Sequence, residues 1–252
     1  MHIGGFQKLT LLDFPGQVAC ILFTAGCNFC CPFCHNAGLV VHAPAVPAPT
    51  EAEIFAYLEK RRGLLDGVVI SGGEPLLQDD LVPFLHKIKD LGYLIKLDTN
   101  GSFPGALEKI LAAKLVDYVA MDIKHCPSKY ASAIGHYYAS GASHNPTAVH
   151  DATSSDALSP VPRIELSLAL LRQSGVPFEL RTTLVKGIHQ EADLEPLAKW
   201  IAGPQPYFLQ SYVDSGDVID GRHLSAFPRE ALERMLATAQ KYCPRAELRG
   251  VQ

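Results

Sequence analysis

Gly26-Cys27-Asn28-Phe29-Cys30-Cys31-Pro32-Phe33-Cys34-His35-Asn36 carries four of the chain's seven cysteines within eight residues. Cys27, Cys31 and Cys34 stand as C-x3-C-x2-C. Three thiolates that close can hold three irons of a [4Fe–4S] cube. The fourth iron is then open to an outside ligand, and an open iron is where chemistry takes place. The competing reading is structural zinc, which wants four protein ligands and pairs C-x2-C with a second pair downstream. Cys20, Cys126 and Cys243 are isolated and supply no such pair. The cysteines favour the cluster, and on the cysteines alone zinc stays open.

Working outward, 252 residues with 48% hydrophobic and 19% charged side chains suit one large domain with a sizeable core. The expected domain is the whole chain, 1–252. A net charge of −4 provides no basic patch for nucleic acid. No apolar run reaches the ~18 residues of a membrane span, and the N-terminus lacks the layout of a signal peptide. An odd, clustered set of cysteines is no disulfide framework, so a reducing cytoplasm is the expected compartment.

Apolar β-rich runs alternate with helical patterns along the chain. Val18–Thr24, Gly67–Ser71, Tyr93–Asp98, Val116–Ile123, Phe178–Val185 and Tyr207–Val213 read as six strands. Helices are expected from Thr50, with Glu53 completing a capping box, then over Asp79–Leu91 and Phe103–Ala113. A fourth helix closes at Leu166–Ser174, stopped by Gly175, and two more run over Ala192–Ile201 and Pro228–Tyr242. Repeated strand–helix units imply parallel strands with right-handed crossovers, an α/β fold. Val40–Pro49 reads as a proline-rich connector. Ser128–Pro162, rich in Ser, Ala, Gly, His and Pro, reads as a long surface loop inserted in the domain. Its His136, His144 and His150 have no ligand spacing and are expected to be solvated.

The ends of the strands carry the polar residues. The first runs into the cysteine loop, the second into Ser71-Gly72-Gly73-Glu74-Pro75, the third into Asp98-Thr99-Asn100-Gly101 and the fourth into Asp122-Ile123-Lys124. Glu74 to Asp98 and Asp98 to Asp122 are each 24 residues, about one βα unit. That spacing stacks the groups on the C-terminal edge of one sheet, where such folds keep their sites. Gly72 and Gly73 let their backbone approach a ligand closely, and Glu74 is placed to accept from an ammonium. A small zwitterion would suit such a row. Arg181 on the fifth strand is either part of this site or a structural ion pair.

These residues resemble the radical S-adenosylmethionine superfamily. Cys27-x3-Cys31-x2-Cys34, with Phe33 before the last cysteine, is similar to its cluster loop, and Ser71–Pro75 to its methionine-amine motif. Gly5–Gly16, with Cys34-His35-Asn36, resembles activases of glycyl radical enzymes, above all those of anaerobic ribonucleoside-triphosphate reductase. Asp98–Gly101 and Asp122-x-Lys124 are similar to motifs of the pyruvate formate-lyase activase. The resemblance implies a partial (β/α)6 TIM-like barrel with parallel strands. It implies Cys27, Cys31 and Cys34 as ligands of a [4Fe–4S] cluster, and S-adenosylmethionine at its open iron. Gly72, Gly73 and Glu74 would hold the methionine amine. Arg181, Asp98, Thr99, Asp122 and Lys124 would line the carboxylate and ribose side or a nearby cation. Reductive C–S cleavage would yield a 5′-deoxyadenosyl radical that takes a glycine Cα hydrogen from a partner enzyme. The implied partners are anaerobic ribonucleotide reductase and a one-electron donor of the flavodoxin or ferredoxin kind.

Cys30 stands where these activases usually carry a basic residue, to this reading either a spare ligand or a small buried residue, and the latter is favoured. Two further readings compete with the activase. One is a radical enzyme acting on a small molecule. The other is a non-catalytic metal or electron-carrier protein, against which the Gly-Gly-Glu turn argues.

Overall fold

The computed structural model describes residues 1–40, 48–135, 159–214, 216 and 218–251. Among these, eight strands form one sheet in strict chain order. β1 (Ile3–Thr10) pairs antiparallel with β2 (Ala19–Thr24). From β2 the pairing is parallel through β3 (Gly67–Gly72), β4 (Leu94–Thr99), β5 (Tyr118–Asp122), β6 (Phe178–Leu184), β7 (Tyr207–Ser211) and β8 (Ala246–Arg249). The six expected strands are β2 to β7. β1 and β8 are additions at the two edges.

The helices are α1 (Ala37–Val40), α2 (Glu51–Lys60), α3 (Leu81–Asp90), α4 (Pro104–Ala112), α5 (Tyr130–Ile134), α6 (Val161–Ser174), α7 (Leu194–Trp200) and α8 (Arg229–Gln240). Their ends follow local chemistry. Thr50 accepts from Glu53 N–H while Glu53 accepts from Thr50 N–H, a reciprocal cap on α2. Pro104 opens α4, and Gly175 at φ 73° stops α6. The segment expected as loop from Ser128 is ordered at its start. Tyr130, Ala133 and Ile134 of α5 are buried, and the Tyr130 hydroxyl accepts from Lys124 N–H at 3.2 Å. A loop-like composition therefore conceals a short helix with three core residues. At its far end Val161 and Pro162, expected as loop, already form the first turn of α6. Residues 136–158, including His136, His144 and His150, and residues 41–47 of the proline-rich connector lie outside the described residues.

Because side chains alternate across a strand, the two faces of the sheet differ. Cys20, Leu22, Val68, Ile70, Ile95 and Leu97 enter the large core beneath the helices. The opposite parity lines the lumen. There Phe14, from the β1–β2 turn, packs on Ala19, Ile21 and Val69 and floors it at the N-terminal end of the strands. Above Phe14 the lumen turns polar. Glu179 accepts from Tyr118 and Arg249, and the Arg249 guanidinium lies 3.1 Å from the Phe208 ring centroid.

The C-terminal ends of β2 and β3 approach each other without side chains between them. A Cβ on Gly73 would lie 1.9 Å from Gly26 O, while Gly72 adopts φ +115°. Glycine alone meets both demands. The expected outcome is that Gly73→Ala forces the cysteine loop off β3 and costs on the order of 3 kcal/mol. Gly105, inside α4 with open space at its Cβ position, provides the contrast. Gly105→Ala should raise stability by about 0.4–1 kcal/mol. Thermal denaturation of the two variants checks both signs.

Candidate active site

The cysteine loop leaves β2 and is fixed by hydrogen bonds to its backbone and to its asparagines. Gly26 O accepts from Glu74 N at 2.8 Å, Cys30 N donates to Ile134 O at 3.0 Å, and Pro32 O accepts from Asp220 N at 2.9 Å. Asn28 Nδ2 donates to Ser102 Oγ at 2.9 Å, and Asn100 Nδ2 donates to Asn28 Oδ1 at 2.9 Å. Asn36 Nδ2 reaches Gly72 O at 2.9 Å. Cys27 Sγ receives Phe29 N–H at 3.4 Å and lies 3.9 Å from Asn100 Nδ2. Donors aimed at a cysteine sulfur are one of a protein's levers on a metal centre.

Cys27, Cys31 and Cys34 face one cavity of about 390 Å³ at the C-terminal edge of the sheet. Cys30 is not among its walls. Burial pushes the Cys31 thiol up to about 12 and the Cys27 and Cys34 thiols up as well. These three thiols on one wall, one buried and two half-buried, suit a group that stabilises them as thiolates. Among the described residues no three His, Cys, Asp or Glu side chains close on a single metal ion. Three thiols on one cavity wall fit a multi-iron cluster, which spreads its ligands over several metals.

Opposite the thiols lies a row of alternating charge on β4, β5 and β6. Lys96 Nζ meets Asp98 Oδ1 at 2.6 Å, and Arg181 Nη1 meets Asp98 Oδ2 at 3.5 Å. Arg181 Nε then meets Asp122 Oδ1 at 2.8 Å, and Lys124 Nζ meets Asp122 Oδ2 at 3.0 Å. Burial works to raise both carboxyls, yet Arg181 with Lys96 holds Asp98 below the usual range, and Arg181 with Lys124 does the same for Asp122. Lys96 is buried behind this row, so Arg181 and Lys124 are the cations on the cavity wall, placed to meet a ligand carboxylate. Arg181 therefore satisfies both alternatives read from the sequence: it is ion-paired, and it lines the cavity.

Every residue that the resemblance implied as a cluster or cofactor contact lines this cavity except Glu74. Glu74 is fully buried. Its carboxylate accepts from Thr99 Oγ1 at 2.7 Å, Asn100 N at 2.7 Å and Leu76 N at 3.1 Å. It ties the end of β3 to the end of β4 and is itself not among the cavity walls. The Gly72 and Gly73 backbone and Asp98 remain on the wall.

Sequence reading named Asn100 only within the strand-end motif Asp98–Gly101 and did not single out Lys96 or His189. Lys96 is 2% exposed, and its signal is a lone cation in the apolar run Leu94-Ile95-Lys96-Leu97. His189 Nδ1 accepts from Val185 N at 3.1 Å, and its Nε2 lies 2.9 Å from Lys124 O. With both nitrogens engaged and burial lowering it to about 4, the ring is a neutral clamp, edged by Phe33 at 6.3 Å. No spacing in the sequence points to it.

Residues 21–201 match the model of the radical SAM superfamily, and the chain belongs to that superfamily. Its cofactors are a [4Fe–4S] cluster and S-adenosylmethionine, the chemistry that the three thiols and the charged wall fit. Within the superfamily the chain is 28% identical to a Methanocaldococcus jannaschii protein described provisionally as a glycyl-radical enzyme activating enzyme, over 99% of this chain and 96% of that one. It is 34% identical to the pyruvate formate-lyase-activating enzyme of Clostridium pasteurianum, over 49% of this chain and 52% of that one. The solved structure of Streptococcus suis SuiB bound to S-adenosylmethionine shares the fold, with a TM-score of 0.64 at 13% identity. The superposition covers 90% of this chain and 49% of SuiB. The fold is thus the partial TIM barrel of this superfamily, extended at both edges. Among the described residues no helix is long and apolar enough to cross a membrane.

The Glu74 strut makes a stability prediction for the metal-free protein. Glu74→Gln replaces one acceptor oxygen by an N–H donor facing the Thr99 and Asn100 donors. Stability should fall by about 1–3 kcal/mol. Burial raises the Glu74 carboxyl to about 7, so between its usual value and pH 7 the folded state holds a proton that the unfolded chain has lost. The stability that this proton contributes is full at acid pH and disappears as pH rises through about 7. Urea titrations from pH 5 to pH 8 should therefore show the wild-type advantage over the variant shrinking as pH rises.

Proposed function

We propose that this protein is a glycyl radical enzyme activase in which Cys27, Cys31 and Cys34 hold the [4Fe–4S] cluster. The Gly72–Gly73 backbone with Asp98 receives the amine of S-adenosylmethionine. Arg181, Asp122, Lys124 and Thr99 receive its carboxylate and ribose side, and Glu74 holds the strand ends that carry them. The observation that carries the reading is the meeting of three thiols and an alternating charged row across one cavity at the sheet's C-terminal edge. When bound, the cluster and S-adenosylmethionine supply a carbon radical able to remove a glycine Cα hydrogen. The chain's own share is to position that ligand and exclude water.

The full-length similarity to an activating enzyme supports a protein glycine as the hydrogen source. The N-terminal stretch Gly5–Gly16 and Cys34-His35-Asn36 support anaerobic ribonucleotide reductase as the partner, with a flavodoxin or ferredoxin as the electron source. A glycine suits a confined site because it brings no side chain to the entrance.

Two outcomes test this. Anaerobic reconstitution should load about one [4Fe–4S] cluster per chain, read by iron and sulfide analysis and absorbance, on the closed three-thiol set. Changing Cys27, Cys31 or Cys34 to Ala should abolish loading, whereas Cys30→Ala should retain it. Zinc retained in place of iron would refute the assignment. Second, a peptide copying the glycine loop of an anaerobic ribonucleotide reductase should stimulate cofactor cleavage. When that glycine is deuterated, label should appear in 5′-deoxyadenosine. Label arriving only from a small metabolite would replace the activase reading with the small-molecule one.

A further inference from the structure

The cavity has a second wall, to which the cofactor assignment above gives no role. Thr183 on β6 and Gln210 on β7 both line it. They are register partners, each near the C-terminal end of its strand. Arg181 and Phe208 are paired in the same way two residues earlier on the same lumen face. The two side chains therefore stand side by side. Around the rest of the cavity polar groups are engaged: Ser71 and Arg181 with Asp98, Arg181 and Lys124 with Asp122, Asn36 with Gly72, and Asp13 with Thr10. Thr183 and Gln210 make no side-chain hydrogen bond among the described residues, and neither holds a buried orphan atom. Their donors and acceptors open onto the cavity.

The two walls differ in kind. That of β4 to β6 is ionic and suits a zwitterion. The β6–β7 pair is neutral, and a primary carboxamide beside a hydroxyl offers donors and an acceptor at one spot, the complement of a peptide amide. A glycine has no side chain to recognise, so selection of a glycine segment falls on its main-chain amides. Burying such an amide unpaired would be costly.

We propose that Thr183 and Gln210 form a main-chain subsite that hydrogen-bonds a peptide amide of the glycine-bearing segment. The inference rests on the activase reading and deepens it. The ligand class is an extended, uncharged peptide backbone.

The test is a cycle between protein and peptide. The glycine-loop peptide of a ribonucleotide reductase is compared with three analogues, each carrying an ester in place of one amide: at the glycine, before it, or after it. Cofactor cleavage stimulated by each is read as kcat/KM. With the native protein one ester should lower kcat/KM about tenfold. With Gln210→Leu or Thr183→Val, both of which keep side-chain volume, the amide peptide should itself be about tenfold poorer through KM. The same ester should then cost less than twofold more. Fluorescence or calorimetric Kd values for S-adenosylmethionine, measured alongside, should change less than twofold. Equal ester losses in native and variant proteins would overturn the subsite. So would a loss of cofactor affinity with peptide KM unchanged, which would assign the pair to the cofactor. If native protein responds to none of the amide peptides, nor to intact reductase, the activase reading fails first and takes the subsite with it. A response to amide peptides without coupling sinks the subsite alone.

Discussion

The close approach of two backbones at Gly26 and Gly73 governs how this molecule is put together. β2 and β3 are parallel neighbours, paired to their last residues, Thr24 and Gly72. With 1.9 Å between a hypothetical Cβ and a carbonyl oxygen, no other residue fits without displacing one strand end. The Gly26 carbonyl is in turn held by Glu74 N, so the loop bearing the thiols and the turn bearing the strut share one hinge-free junction. Cavity, thiols and charged row all take their positions from it.

The charged row shows how a lumen keeps ionised groups away from bulk water. Each carboxylate lies between two cations and each interior cation between two carboxylates, so burial costs are offset along the chain of contacts and not pair by pair. Removing one member leaves its neighbours under-compensated. The row ends on Lys124, whose carbonyl is held by His189 and whose ammonium faces Asp122. Sheet, charges and cysteine loop are thereby coupled through a single residue between β5 and α5.

Much of this was legible before any coordinates. The alternation of apolar runs with helical patterns placed β2 to β7, and the 24-residue rhythm of polar strand ends brought Asp98, Asp122 and the cysteine loop to one edge. What escaped had local reasons. β1 is an edge strand half exposed and rich in glycine, and β8, Ala-Glu-Leu-Arg, has the composition of a helix. α5 was hidden by a Ser- and Ala-rich segment whose three buried residues carry no period of their own. Glu74 could be placed at a strand end from the sequence, but not its three donors, which come from Thr99 on β4, Asn100 just after it and Leu76 in the turn after β3. Thr183 and Gln210 are unremarkable in sequence, and only the register between β6 and β7 sets them together.

Phe14 closes the lumen at the N-terminal ends of the strands, where its ring packs on Ala19, Ile21 and Val69 beside the Gly67 backbone. The lumen therefore has an aromatic floor at that end, and the polar groups above it are walled off from the N-terminal side by apolar surface.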